Sequence, residues 1–125
     1  MVTNNHTQEK LAVKAFSKEN LLSQAKGRAS VINEISIMRQ LTHHNIMRLE
    51  EVHESANSIY LVVELLEGGE LFSQISSQPS MTIPELAKVL RDILKALAYM
   101  DSRGIMHRDL KPENIILKKK MCKNK

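Results

Sequence analysis

His107-Arg108-Asp109-Leu110-Lys111-Pro112-Glu113-Asn114 is the stretch on which the reading of this chain turns. It sets a potential base at Asp109, a cation two residues on at Lys111 and an amide oxygen five residues on at Asn114. Three such groups within eight residues are far more specific than a lone glycine pattern. Eleven residues follow Asn114, ending at Lys125.

The 125 residues can hold one modest core, and 42% apolar content places them in the soluble globular class. Aromatic residues are few (Phe16, Tyr60, Phe72 and Tyr99, with no Trp), which leaves the core to Leu, Ile, Val and Met. The formal charge of +4 is a matter of one end: residues 118–125 carry five lysines and no acid, so the rest nets −1. A nucleic-acid face clusters its cations on a folded surface with aromatic partners, and no such pattern occurs, so no nucleic acid is expected as partner. The single Cys122 cannot form an internal disulfide, which suits a reducing compartment. No apolar run reaches the ~18 residues that span a bilayer, and Val2 stands where N-myristoylation needs glycine, so no membrane partner is expected. The expected location is cytoplasmic or nuclear.

Residues 10–16 alternate as a strand, with Leu11, Val13 and Ala15 on one face and Ala12, Lys14 and Phe16 on the other. The polar run from Asn4 to Glu9 reads as a turn entering it, and 17–27 as a loop or short irregular helix. A helix is predicted from Ser30 to Leu41, with Val31, Ile35, Met38 and Leu41 as its buried stripe. Glu34 falls within that stripe, where an unpaired carboxylate is costly. It is either a surface glutamate at the stripe's edge or the partner of a cation, and Lys14 is a candidate.

Ile46–Val52 and Ser58–Leu66 read as two strands joined at Glu54–Asn57, the second nearly all apolar and so central. Gly68-Gly69 then reads as a hinge, followed by a short helix from Glu70 to Ser76 and a polar loop to Ser80. A long helix is predicted over 82–103: Thr82 and Glu85 form a capping-box pattern, Pro84 sits in the first turn, and Gly104 ends it. Ile83, Leu86, Leu90, Ile93, Leu94 and Leu97 give it a wide apolar face. A last strand follows the loop that holds 107–114. The fold class is α+β, a small sheet with one helix followed by a mainly helical region.

This order and these residues resemble the eukaryotic-type Ser/Thr protein kinases along essentially the whole chain. The resemblance is carried by Leu11-Ala-Val-Lys14, Asn33-Glu34-Ile35, His43-His-Asn-Ile46, Tyr60-Leu-Val-Val-Glu64, Gly68-Gly-Glu-Leu-Phe72 and His107 to Asn114. The wording of the last two is most similar to the calcium/calmodulin-dependent and calcium-dependent kinase group. It implies a partial small lobe with hinge over 1–66 (third strand, helix C, fourth and fifth strands, in an antiparallel sheet) and the start of a large lobe over 67–125. Asp101 stands where the family commonly has His, a difference that does not touch the chemistry.

The resemblance also implies roles. Lys14 would hold the α- and β-phosphates of ATP, fixed by Glu34 in a buried ion pair. Val63 takes the gatekeeper position, and the backbones of Glu64 and Leu66 would meet the adenine edge. Ala12 and Ile116 would sandwich the ring with Leu71 behind, although all three also read simply as core residues. Asp109 would orient or accept the hydroxyl proton of Ser or Thr, Lys111 would neutralise the transferring group, and Asn114 would ligate Mg²⁺. Arg108 would face an activation-loop phosphate. Glu70 and Glu113 match positions that often pair with an arginine upstream of the phosphorylated residue in protein substrates, and calcium/calmodulin regulation of the parent protein is a further implied partnership. His43 fits a structural turn after the helix rather than a zinc site.

The glycines are Gly27, Gly68, Gly69 and Gly104, so no Gly-rich phosphate loop precedes Lys14, and no Asp-Phe-Gly follows Asn114. The expectation is therefore a fragment of a kinase domain, inactive by itself. It is either part of an active Ser/Thr kinase or a non-catalytic product acting as an interaction or regulatory module.

Overall fold

Pairing along Lys10–Ser17 organises the first half of the chain. In the computed structural model, which describes residues 1–25, 27–76 and 81–119, two compact units form: Met1–Leu65 and Leu66–Lys125. The first unit contains strands β1 (Val2–Thr3) and β2 (Lys10–Ser17), helices α1 (Lys18–Ser23) and α2 (Gly27–Gln40), and strands β3 (Leu49–Glu54) and β4 (Ser58–Glu64). The sheet is antiparallel in the order β1-β2-β4-β3. Its registers place Ala12 opposite Val63, Lys14 opposite Leu61 and Phe16 opposite Ile59. Opposed residues share a face, so period-two alternation puts Ala12, Lys14, Phe16, Ile59, Leu61 and Val63 on one side. That side is the core: Leu21, Val31, Ile35, Ile59, Leu61 and Val63 form one buried cluster, with Ala12, Phe16, Met38 and Val52 packed against it.

Several boundaries differ from the sequence reading, each for a local reason. The Asn4–Glu9 segment is a turn, closed by Asn4 N–H to the Glu9 carbonyl at 2.9 Å, but it belongs to a hairpin whose two-residue first strand the sequence does not announce. Of the two readings of 17–27, the short helix holds over 18–23, where Leu21 buries into the cluster. The next helix starts at Gly27, not Ser30; a Cβ at Gly27 would lie 2.5 Å from the Leu21 carbonyl oxygen, so α1 and α2 meet through that glycine. β3 begins at Leu49, not Ile46, because the Ile46 N–H is taken by the His43 carbonyl in a turn.

The second unit holds α3 (Leu71–Ser76), α4 (Ile83–Asp101) and a short 3₁₀ turn at Pro112–Asn114. In place of the predicted last strand there is a single bridge, Glu70 to Ile116. The first of the glycine pair is closely packed within this unit. Gly68 is buried, donates to the Leu117 carbonyl at 2.8 Å, and leaves no room for a Cβ, which would fall 2.3 Å from that same oxygen. Gly69 supplies the positive φ of 75° that follows. The loop residues 77–80 and residues 120–125, Cys122 among them, lie outside the described residues.

α4 ends at Asp101, two residues before the predicted limit, and Gly104 at φ 69° turns the chain away. At its start the Glu85 carboxylate accepts both the Thr82 N–H and the Thr82 hydroxyl at 2.8 Å. The backbone bond first, and the hydroxyl second, hold the Glu85 carboxyl below the usual glutamate range. A depressed folded value means the cap is intact above the unfolded value, ordinarily about 4.3, and is lost as pH falls through the lower folded one. The Thr82 amide is therefore expected to lose hydrogen-exchange protection at that acidic step, and Glu85→Gln to abolish the step. Protection that ignores pH in the unsubstituted chain would contradict the cap. On the apolar stripe of this helix Ile83, Leu86, Leu90 and Leu94 remain exposed.

Candidate active site

β2 and α2 bring the first pair of predicted residues together. Lys14 points to the core face of β2, and Glu34 lies one turn from Val31 on α2, so the strand and helix that form the core also aim these two heads at one another. The Lys14 Nζ to Glu34 Oε1 distance is 3.2 Å, and the ammonium also stands 4.9 Å from the centre of the Phe16 ring. The expected burial of the pair is not found: the side chains are 56% and 42% exposed. Both stems reach out of the layer and the charged heads keep water, which avoids the desolvation that a buried pair suffers. An exposed pair of this kind holds geometry more than it adds stability.

The remaining residues of this unit line up along two strands. Ala12 is half-buried and Val63 buried, side by side in adjacent strands. Glu64 closes β4, and its carboxylate accepts the Arg48 N–H at 2.8 Å. Arg48 in turn pairs with Glu9 at 3.1 Å and with Glu50. Sequence reasoning missed both Arg48 and the Phe16 ring as parts of this region. An i, i+2 Lys–Phe pair on a strand is a usable signal for the ring, whereas Arg48 depends on a bulge between Leu49 and Glu51 that no pattern announces. His43 does stabilise a turn, its Nδ1 accepting the Asn45 N–H at 3.0 Å.

In the second unit the 107–114 stretch folds back on itself. Pro112–Asn114 forms a single 3₁₀ turn, which returns Asn114 to Asp109. The Asn114 Nδ2 donates to the Asp109 carbonyl at 2.8 Å and to its Oδ2 at 2.9 Å, while Lys111 Nζ lies 3.2 Å from that same oxygen. Lys111 first, and Asn114 second, hold the Asp109 carboxyl below the usual aspartate value, so it is a carboxylate across the neutral range. The Asp109 N–H is directed at His107 Nδ1 at 3.3 Å, and Arg108 between them has φ 65°, a left-handed conformation that a side chain rarely adopts. Such strain at a non-glycine residue is characteristic of functional loops.

Because only the amide nitrogen can donate to two Asp109 oxygens, the Asn114 side-chain oxygen faces away from them. That oxygen is a hard, neutral ligand of the type Mg²⁺ accepts, and Asp109 adds negative charge beside it. Among the described residues no cluster of three His, Cys, Asp or Glu side chains forms a ready metal cage. Mg²⁺ does not demand one, since it keeps waters and is completed by phosphate oxygens.

Ile116 and Glu70 meet through their bridge, with the Leu71 N–H donating to the Ile115 carbonyl at 2.8 Å. Leu71 is buried, Leu66 half-buried, Ile116 39% exposed, and Glu70, Arg108 and Glu113 exposed.

The sequence matches the family of protein kinase domains over residues 1–124. It is 40% identical to calcium/calmodulin-dependent protein kinase type 1B of Rattus norvegicus, in a match covering 86% of this chain and 36% of that protein. The Homo sapiens protein of the same name is 42% identical, over 85% of this chain and 30% of its own length. The chain thus spans about a third of the curated relatives it matches. Among solved structures, Rad53 residues 1–466 in complex with AMP-PNP superposes with a TM-score of 0.84 at 33% identity, covering 90% of this chain and 29% of that one.

Proposed function

The chain belongs to the protein kinase domain family, and from that premise we propose that it carries part of the catalytic apparatus of a serine/threonine kinase of the calcium/calmodulin-dependent type. The observation that carries the reading is the Asp109 carboxylate, hydrogen-bonded by Lys111 and Asn114 within one turn. Asp109 takes the proton of the Ser or Thr hydroxyl as its oxygen bonds to the γ-phosphorus, and the bond to the β,γ-bridging oxygen breaks. Lys111, 3.2 Å from that carboxylate, neutralises the transferring group. ATP sits with its phosphates on Lys14, itself fixed by Glu34. The resemblance assigns Ala12, the gatekeeper Val63 and the Glu64 backbone of the first unit, and the Leu66 backbone, Leu71 and Ile116 of the second, to the adenine. The Asn114 side-chain oxygen would hold Mg²⁺, which would supply charge neutralisation for the phosphates.

Glu70 and Glu113 recognise an arginine upstream of the target residue, calcium/calmodulin governs the whole protein, and the site of action is cytoplasmic or nuclear. None of the relatives named above favours a non-catalytic interaction module.

The test is a chimera in which residues 1–125 replace the matching segment of the Rattus norvegicus relative. With Mg-ATP it is expected to label Ser and Thr peptides bearing an upstream arginine and to leave Tyr peptides unlabelled. A folded chimera that transfers nothing, or that labels Tyr, would defeat the proposal.

A further inference from the structure

At the end of β4 the ladder is completed by a side chain. One residue beyond the Leu49–Val63 pair, Arg48 and Glu64 are joined by two hydrogen bonds. The Glu64 N–H donates to the Arg48 carbonyl at 3.1 Å, as an antiparallel pair requires. In the return direction the Arg48 N–H donates to the Glu64 carboxylate at 2.8 Å, so the side chain takes a bond that a carbonyl takes in a regular ladder. The register slips by one residue just beyond, between Leu49 and Glu51, and Glu50 pairs with the Arg48 guanidinium. The same guanidinium reaches Glu9 at 3.1 Å, in the turn that enters β2. One arginine therefore ties three places together: the bulge in β3, the turn before β2 and the exit of β4.

We propose that this Arg48–Glu64 latch is a positioning device, which fixes where the backbone leaves β4 and so sets the adenine-reading backbone groups of Glu64. It rests on the ATP reading above, and it assigns work to the side chain of Glu64, of which that reading uses only the backbone, and to Arg48, to which it gives no role. Glu64 holds the strand end through its carboxylate. Arg48 keeps that end in register with the bulge and the β2 turn.

Two measurements separate this from a merely structural role. In the 125-residue chain, Glu64→Ala is expected to speed hydrogen exchange at the Arg48 amide, whose acceptor is removed, by about tenfold, the scale of one lost hydrogen bond, with the Leu61 amide of β4 unchanged. Glu64→Gln keeps an acceptor oxygen and is expected to restore the native rate. Arg48→Met should give a smaller local increase. In the chimera described above, Glu64→Ala should reduce the preference for ATP over inosine triphosphate, which lacks the exocyclic amine, by about tenfold, again with rescue by Gln. Exchange that rises evenly along β4, or a local rise with the nucleotide preference intact, would overturn the positioning role. An unsubstituted chimera with no affinity for either nucleotide defeats the ATP reading and the adenine part of this one together. The exchange measurement then still decides whether the latch holds the strand end.

Discussion

Asp109→Asn in the chimera is expected to lower turnover by about 10²–10⁴-fold, the range carried by a positioned general base, and to leave the fold intact. The substitution is nearly isosteric and the residue is exposed, so packing is not at stake. What changes is chemical. An amide cannot take the hydroxyl proton, and it removes the negative charge that draws Lys111 to 3.2 Å and receives the Asn114 amide at 2.9 Å. Three groups are disarranged by one change, so neighbouring substitutions should be strongly non-additive with it.

The pH profile gives a second readout. Lys111 is the main cause of the low Asp109 value, with Asn114 next. A base held below the ordinary aspartate value of about 3.9 stays competent as pH falls until that lower value is reached, so the acid limb from this group lies below the ordinary range. Lys111→Ala should move the limb upward. Near-normal turnover in Asp109→Asn, or an acid limb indifferent to Lys111, would remove Asp109 from the role of base.

Much of this site is legible in the sequence because its residues are neighbours in the chain. Asp109, Lys111 and Asn114 lie within six residues, and a proline-started 3₁₀ turn is enough to close them. Lys14 and Glu34 are legible for another reason: each stands at an apolar position of a periodic element, so the folding of that element places it. How far the pair is buried is not legible in the same way. Exposure depends on which layers cover the two heads, and periodicity reports only the face.

The same limit explains the strand ends. Alternation shows that 58–66 is apolar, but β4 stops at Glu64 because that carboxylate captures the Arg48 N–H, a contact between residues sixteen apart in the chain. The predicted last strand fails similarly. Residues 115–117 pair with the 68–71 segment through backbone bonds on either side of a single bridge, and the buried Gly68 lets the two segments approach. Smallness is what Gly68 contributes to that approach, and a turn-residue pattern does not report it.

Leu61→Ala is expected to destabilise the first unit by about 2–5 kcal/mol, a cost large enough to unfold it if its stability is at the low end of the usual range, about 5 kcal/mol. Leu61 is the one large side chain with no exposure at all among the described residues. It sits on the central strand, opposite Lys14 of β2 on one side and Val52 of β3 on the other, and shares the core cluster with Val31 and Ile35. Truncation leaves a cavity that strands on both sides and the helix above must collapse to fill, and ladder hydrogen bonds restrict that collapse. The loss should reach the site as well. Lys14 shares Leu61's face and its partner Glu34 rides on the helix packed against it, so loosening the core separates the pair before any charge is altered. Urea titration followed by circular dichroism measures the cost, and exposed Ile83→Ala, expected to change stability by no more than about 0.5 kcal/mol, serves as the comparison. A Leu61→Ala cost as small as that of Ile83→Ala would mean that the cluster around β4 is not the core on which the Lys14–Glu34 geometry stands.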